Sequence, residues 1–212
     1  IMVTNPLWCQ PLAGFQDSIL RWLYGADPDG PMNLAIFMDA RAVAGDASLL
    51  KQARGYALQS MAGSDAFFAR FAAAIDQFSE PGGWWTRLAT LRGREEPVFD
   101  LKKLGTFPIV HGVRSLALEH RLEEVGTAAR LQVLVSRKHL PCDLARDLID
   151  ALHFLMGIKL KNNLRQKQLG QTLDNLSHLS NLGTLDRDQL KDALAIIKRF
   201  RLHLQLRYQL AT

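Results

Sequence analysis

Apolar residues near the start of the chain follow two different patterns. From Phe15 to Leu23 they recur at helical spacing, which predicts a helix over residues 12–24. The unbroken apolar run LAIFM, at residues 34–38, follows a loop rich in proline and glycine. Its length and setting predict a short buried strand that ends at Asp39.

The next apolar segments return to helical spacing. They predict helices over residues 47–61 and 65–78. Asp46 is the expected N-cap of the first helix, and Ser64 or Asp65 the expected N-cap of the second, because short polar side chains satisfy free backbone N–H groups. Nothing like a strand follows Ser64, so we interpret Gly63-Ser64 as a helix start and not as a phosphate-binding turn.

Two short segments then predict a small β-hairpin. Residues 84–91 and 98–101 are separated by the turn sequence Gly-Arg-Glu-Glu-Pro. The second segment leads into Asp100-Leu-Lys102-Lys, a group of opposed charges. We expect either an internal ion pair or a set of side chains that faces a ligand.

The second half of the sequence predicts a helical bundle. Its apolar spacing indicates four helices, over residues 108–121, from 127 onward, from 142 towards 169, and from 186–189 onward. The predicted fold class is therefore α+β and mostly α. A short β component near residues 33–40 and 85–102 precedes a C-terminal antiparallel helical bundle.

Composition indicates a soluble, intracellular protein. Hydrophobic residues make up 48% and charged residues 22% of the 212-residue chain, which is typical of a globular protein. No signal peptide is present, and no apolar run approaches the roughly 20 residues that a membrane-spanning helix needs. Cys9 and Cys142 are isolated, which predicts reduced thiols and a cytoplasmic location. The six histidines form no metal-binding pair, so we expect no structural metal.

The formal net charge of +5 raises the question of nucleic-acid binding. Acidic residues are interleaved with basic ones over most of the chain, and the acid-free basic stretch is Lys159–Lys167. A solvated helix face explains this stretch, because it has no aromatic side chain on which a base stacks. Nucleic-acid binding is accordingly a weak alternative.

Asp39 is the leading candidate for chemistry, because a charge at the end of a strand lies where a sheet meets solvent. It is followed by Arg41, and a simple ion pair between these two residues is the structural alternative. The sequence Asp27-Pro-Asp29 resembles a metal-binding DxD. Proline does not donate to a sheet ladder, so we interpret this segment as a loop.

The order of several segments resembles a known family. These segments are VTNPLWC, RWLYGADP, MNLAIFMDARAVAGD, VFDLKKLGTFPIVHGVRSLALEH, GTAARL and LDRDQLKDALAIIKRFRLHLQ. Together they resemble the substrate-binding domain of bacterial signal-transduction nucleotidyltransferases, relatives of protein-PII uridylyltransferase. The resemblance covers nearly the whole chain, and FMDARAVAGD and FDLKKLG are its most specific parts.

The resemblance implies roles for individual residues. In that superfamily a Gly-Ser turn and a DxD bind nucleotide phosphates and magnesium, and a later strand supplies a third carboxylate. Asp39 would be this third carboxylate and a magnesium ligand, with Arg41 as its orienting partner. Arg41 or Lys102 would meet triphosphate oxygens, and Asp100, Lys102 and Arg114 would line the cleft.

The resemblance also implies a domain division and a larger protein. Residues 1–46 would be the end of a nucleotidyltransferase core, and residues 47–212 a helical substrate-binding domain. The Gly-Ser and DxD motifs do not occur together here, so they would lie before Ile1. This chain alone would then be inactive. Magnesium and a nucleoside triphosphate would bind to the full-length protein, which often also carries CBS or cyclic-nucleotide-binding-like regulatory domains.

A second hypothesis is a helical docking module without catalytic activity. Its apolar stripes would pack on a partner protein or on a second copy as a homodimer. Gly-Ser and DxD motifs in the upstream sequence would favour the transferase, and their absence would favour the docking module.

Overall fold

The computed structural model describes residues 4–25, 27–76, 98–174 and 176–210, and in these ranges the chain is mostly helical. The helices are α1 (Leu12–Tyr24), α2 (Gly30–Met38), α3 (Ala47–Ser60), α4 (Asp65–Ala72), α5 (Phe107–Glu119), α6 (Thr127–Ser136), α7 (Cys142–Gln168) and α8 (Thr184–Tyr208). Among the residues described, none of the helices has both the length and the apolar character needed to cross a membrane.

Within the described ranges, two short strands form the β component. Strand β1 (Val98–Asp100) pairs antiparallel with β2 (Leu176–His178). The predicted strand at residues 98–101 is therefore confirmed, but it pairs with a segment far along the chain. The predicted hairpin partner, residues 84–91, lies outside the described residues. A mostly helical fold with a small β component is confirmed.

The predicted strand at residues 33–40 is wrong, because this segment is helix α2. Gly30 and Pro31, which the prediction placed in the preceding loop rich in proline and glycine, form its first turn, where a proline is well tolerated. Most of the apolar run is buried around the whole helix, so it shows no polar face. A short run of this kind does not distinguish a buried helix from a buried strand.

Helix starts are predicted well where a side chain caps them. The Asp46 carboxylate accepts a hydrogen bond from the N–H of Ser48 at 2.8 Å, and the Ser64 hydroxyl accepts one from the N–H of Phe67 at 3.3 Å. The second of these helices is shorter than predicted. Helix α4 gives way to a 3-10 turn at Ala73–Asp76, and residues 77–78 lie outside the described part.

The buried apolar side chains of the described residues form two clusters. The N-terminal cluster comes from α1–α4 with Leu118 of α5, and the C-terminal cluster comes mainly from α5–α8. Helices on both sides of residue 46 share the N-terminal cluster. The division into domains 1–46 and 47–212 stays a prediction, and among the described residues no break in the core falls at residue 46.

Helices α7 and α8 form an antiparallel pair beside the C-terminal cluster. Their outer faces are joined by Arg199 with Asp147, at 2.6 Å, and by Lys161 with Asp186, at 2.9 Å. Because α5 contributes to both clusters, its side chains lie where the two groups of helices meet.

Candidate functional site

Asp39 lies at the centre of a group of charged side chains. It follows the last residue of α2, and its carboxylate contacts Arg114 of α5 and Arg130 of α6. The Nε of Arg114 donates to Oδ1 at 3.3 Å, and a second guanidinium nitrogen donates to Oδ2. Arg130 approaches Oδ1 at 2.8 Å. The sequence-predicted pair with Arg41 is therefore replaced by two arginines from distant segments.

These contacts are largely shielded from solvent. The side chain of Arg130 is 4% exposed, that of Arg114 13%, and that of Asp39 30%. Burial lowers the pKa of Arg130, and the Asp39 carboxylate opposes this shift. Arg130 also donates to the carbonyl oxygen of Glu124 at 2.7 Å. The two arginines thus hold one carboxylate in a fixed position.

The end of α2 needs these cations. A helix C-terminus carries partial negative charge, which a carboxylate at the same place increases. Arg54 of α3 opposes it from another side, because its guanidinium donates to the carbonyl oxygens of Met38 and Ala40. The end of α2 is therefore fixed to α3, α5 and α6 at once.

The surroundings of Asp39 do not fit a magnesium ion. Both carboxylate oxygens are hydrogen-bonded to guanidinium groups, and two positive charges oppose the approach of a divalent cation. Within the described ranges, no group of three or more histidine, cysteine or acidic side chains is placed to hold a metal. The third-carboxylate role of Asp39 stays a prediction, but the strand on which it depended is absent.

The other predicted site residues lie in different surroundings. Arg41 is exposed in the segment after α2. The carboxylate of Asp100 accepts hydrogen bonds from the N–H groups of Lys102 and Lys103, at 2.8 and 3.0 Å. Asp100 therefore caps the turn after β1, and the side chain of Lys102 is exposed. The structure brings Asp39 and Arg114 together, while Asp100 and Lys102 form a separate local motif.

A buried histidine lies on α5, one turn from Arg114. The ring of His111 is stacked between Phe71 and Phe107, with centroids at 4.6 and 5.1 Å. Its Nε2 lies 2.7 Å from the carbonyl oxygen of Phe71, so this nitrogen carries the proton and donates. Burial lowers the pKa of His111 to about 4. The ring is neutral near pH 7 and ties α5 to α4.

An apolar pocket lies between the end of α2 and its neighbours. Its volume is about 420 Å³, and it is lined by Trp8, Gln10, Leu12, Phe15, Ile36, Phe37, Ala40, Leu49, Leu50 and Ala53. Ala40 follows Asp39, and its carbonyl oxygen accepts from Arg54. The charged group at Asp39 therefore positions one wall of this pocket.

A second cavity, of about 440 Å³, is more polar. It is lined by Asp65, Ala66, Phe68, Ala69, Glu119, Arg207, Tyr208 and Gln209. Glu119 accepts a hydrogen bond from Nε of Arg207 at 2.9 Å and one from the hydroxyl of Tyr208 at 2.8 Å. Its carboxylate is thus held within the chain and ties α8 to α5.

Sequence reasoning missed Arg54, Arg130 and the pocket residues of α1 and α3. Each arginine lies in an ordinary helical segment, QARG or GTAARL, and nothing in the local pattern marks it. The charge of Asp39 gives an indirect signal, because a carboxylate at the C-terminal end of a helix calls for nearby cations such as arginines. This signal was not used, because Asp39 was assigned to a strand.

A comparison with protein families matches residues 65–208 to the family described as "Putative nucleotidyltransferase substrate binding domain". The match begins at the first residue of α4 and ends at the last residue of α8. Arg114 and Arg130 lie inside it, whereas Asp39 and the apolar pocket lie outside. No curated protein and no solved structure was found to match the chain.

Proposed function

We propose, from the premise that this chain belongs to the nucleotidyltransferase substrate-binding domain family, that it holds the acceptor substrate of a larger nucleotidyltransferase. The family match over most of the chain is the observation that carries this proposal. The acceptor is a hydroxyl of a protein or of a small molecule in bacterial signalling. Its oxygen forms the new bond to the α-phosphorus, pyrophosphate leaves, and the hydroxyl proton is released.

In this proposal the nucleotide and its magnesium bind to another part of the full-length protein. The arginines around Asp39 support this separation, because they occupy the carboxylate that a metal would need. That other part includes the nucleotidyltransferase core, and CBS or cyclic-nucleotide-binding-like domains regulate the activity of this core. The isolated chain is then inactive in transfer.

The apolar pocket is the proposed acceptor site, although it lies before the matched residues 65–208, so its own size and lining support this part of the proposal and the family match does not. Its volume lies within the roughly 300–1,000 Å³ range of small-molecule pockets, and its walls are mostly apolar, as such pockets usually are. Gln10 adds one polar group. Its amide nitrogen donates to the Leu7 carbonyl and the Ser18 hydroxyl, which holds this side chain in the pocket wall.

Asp39, Arg114 and Arg130 have a positioning role in this proposal. They fix the end of α2 and thereby Phe37 and Ala40, two of the pocket residues. Arg41 lies one residue beyond Ala40 and is exposed, so its guanidinium can meet phosphate oxygens of a nucleotide that the other part of the protein holds. Asp100 and Lys102 as cleft residues stay predictions.

The test is label transfer by the full-length gene product from α-³²P-labelled nucleoside triphosphates to acceptors in an extract of the source cells. Ala40→Leu places a larger side chain in the apolar pocket. We expect it to abolish label transfer, while calorimetry shows unchanged affinity for the magnesium–nucleotide complex. Ala66→Leu is the matched control, because Ala66 lines the other cavity.

Two results would contradict the proposal. One is normal label transfer by Ala40→Leu, which would place the acceptor elsewhere. The other is magnesium-dependent binding of a nucleoside triphosphate by the isolated 212-residue chain, which would place the nucleotide site here.

A further inference from the structure

Four aromatic rings form one cluster beside the apolar pocket. Trp22 and Phe37 are 2% and 4% exposed, whereas Trp8 and Phe15 are only partly buried. The rings of Phe15 and Phe37 have centroids 5.1 Å apart, and those of Trp8 and Trp22 have centroids 5.5 Å apart. Trp8, Phe15 and Phe37 also line the pocket. The two buried rings therefore hold the two partly exposed rings in place beside the cavity.

A wall of this kind favours a ring as its ligand. Aromatic rings pack in offset or edge-to-face pairs with centroids about 4.5–7 Å apart, and such pairs contribute more than the apolar area that they bury. The pairs inside the cluster have distances in this range. Benzene fills an apolar protein cavity of about 150 Å³. The volume of about 420 Å³ therefore admits one ring, or two fused rings, with a short side arm.

The pocket offers no counter-charge to a charged ligand. Among the described residues that line it, none has an ionisable side chain, and Gln10 is the one with a polar side chain. Asp39 and Arg54 lie beside the wall at Ala40, and both are engaged within the chain. Two arginines bind the Asp39 carboxylate, and the Arg54 guanidinium donates to main-chain carbonyl oxygens. An ammonium or carboxylate group inside these walls would lose water without gaining a partner, which is costly.

We propose that the apolar pocket takes an uncharged small molecule that carries an aromatic ring and a hydroxyl on a short arm. This inference rests on the proposed function, because it names the chemical class of the acceptor. The ring packs against Trp8 and Phe15. The hydroxyl stays outside the apolar walls, where it meets a nucleotide that another part of the full-length protein holds.

The test is calorimetric titration of the full-length gene product with indole-3-ethanol, tryptamine and indole-3-acetate. These probes share one fused ring system and a short arm, and the arm ends in a hydroxyl, an ammonium or a carboxylate. We expect indole-3-ethanol to bind about tenfold or more tightly than either charged probe. A second pair tests the ring. The affinity of 2-phenylethanol should exceed that of 2-cyclohexylethanol by about threefold or more, because only the aromatic ring continues the packing of the cluster.

Three variants locate the probe in the pocket. Ala40→Leu places a larger side chain there and should abolish binding of indole-3-ethanol, whereas Ala66→Leu, in the more polar cavity, should leave it unchanged. Leu49→Glu places a carboxylate in the pocket wall, at a side chain that is 51% exposed and therefore tolerates a charge. It should raise the affinity for tryptamine by about threefold or more, because the new carboxylate attracts the ammonium group. A folding defect does not explain such a gain.

Several results would overturn the inference. One is a charged probe that binds the wild-type protein as tightly as indole-3-ethanol does, and another is equal affinity for 2-phenylethanol and 2-cyclohexylethanol. Unchanged binding of indole-3-ethanol by Ala40→Leu would place the probe elsewhere and would also overturn it.

Failure of this inference is distinguishable from failure of the proposed function. If indole-3-ethanol does not bind, the inference is overturned, and loss of label transfer in Ala40→Leu would then leave the acceptor site in place with another class of acceptor. If the probes bind with the expected preferences while Ala40→Leu transfers label normally, the ligand class is supported and the acceptor role of the pocket is contradicted.

Discussion

Replacing Asp39 by asparagine removes one negative charge and almost no volume. In the native protein this carboxylate compensates Arg114 and Arg130, whose side chains are 13% and 4% exposed. Asp39→Asn leaves both guanidinium groups buried and short of a counter-charge. We expect the variant to fold and to be less stable than the wild type.

The size of the effect follows from the burial of the partners. Removing one partner of a fully buried ion pair costs about 3–5 kcal/mol in the free energy of unfolding. Asp39 is itself 30% exposed, and the asparagine oxygen still accepts one hydrogen bond. Water and the new side chain therefore offset part of this loss of free energy. We therefore expect a loss of about 2 kcal/mol. In a protein of this size that lowers Tm by about 4–8 °C.

The assay is urea unfolding followed by far-UV circular dichroism and by tryptophan fluorescence. Coincident transitions by the two probes establish a two-state analysis. Arg41→Gln is the control, because Arg41 is exposed two residues away, and its replacement should change stability by less than about 0.5 kcal/mol. If Asp39→Asn is as stable as Arg41→Gln, the arginines do not depend on this carboxylate and the reasoning is refuted.

Two further predictions concern packing and pH. Gly112→Ala should destabilise the protein by about 1–3 kcal/mol, because the new Cβ would lie 2.5 Å from Leu204 and 2.6 Å from Phe200. Gly157→Ala should stabilise the protein by up to about 1 kcal/mol, because the space around Gly157 is open. Thermal unfolding of both variants tests these two expectations. Burial lowers the pKa of His111 to about 4 from 6.5, so the folded protein binds fewer protons than the unfolded chain between these values. The contribution of neutral His111 to the free energy of unfolding is therefore complete above pH 6.5 and is lost as pH falls towards 4. Between pH 6.5 and 4, Tm should fall less in His111→Gln than in the wild type. Parallel Tm–pH profiles of the two proteins would contradict this prediction.

The helices of the second half were predictable because their pattern is strong. Long amphipathic segments with leucine stripes gave α7 and α8 to within a few residues, and cap residues such as Asp46 and Ser64 located helix starts. Helix α2 was not predictable in the same way. It is short and buried on most sides, so it has neither the helical stripe nor the length that distinguishes a helix from a strand.

The candidate site was predictable only in part. Asp39 and Arg114 were both named from the sequence, and the structure joins them. Their contact depends on how α2 packs against α5, which local patterns do not specify. Arg130 and Arg54 reach the same place from α6 and α3, and the pocket needs α1, α2 and α3 together. Such sites arise from tertiary packing.

The measurement that tests the central claim most directly is calorimetric titration of the full-length gene product and its Asp39→Asn variant with magnesium and nucleoside triphosphate. If this chain binds the acceptor and Asp39 positions α2, the two proteins should bind the nucleotide with equal affinity, and the variant should be less stable. A variant that is fully folded but binds the magnesium–nucleotide complex about tenfold more weakly, or not at all, would contradict the account. Asp39 would then be the third carboxylate of the transferase.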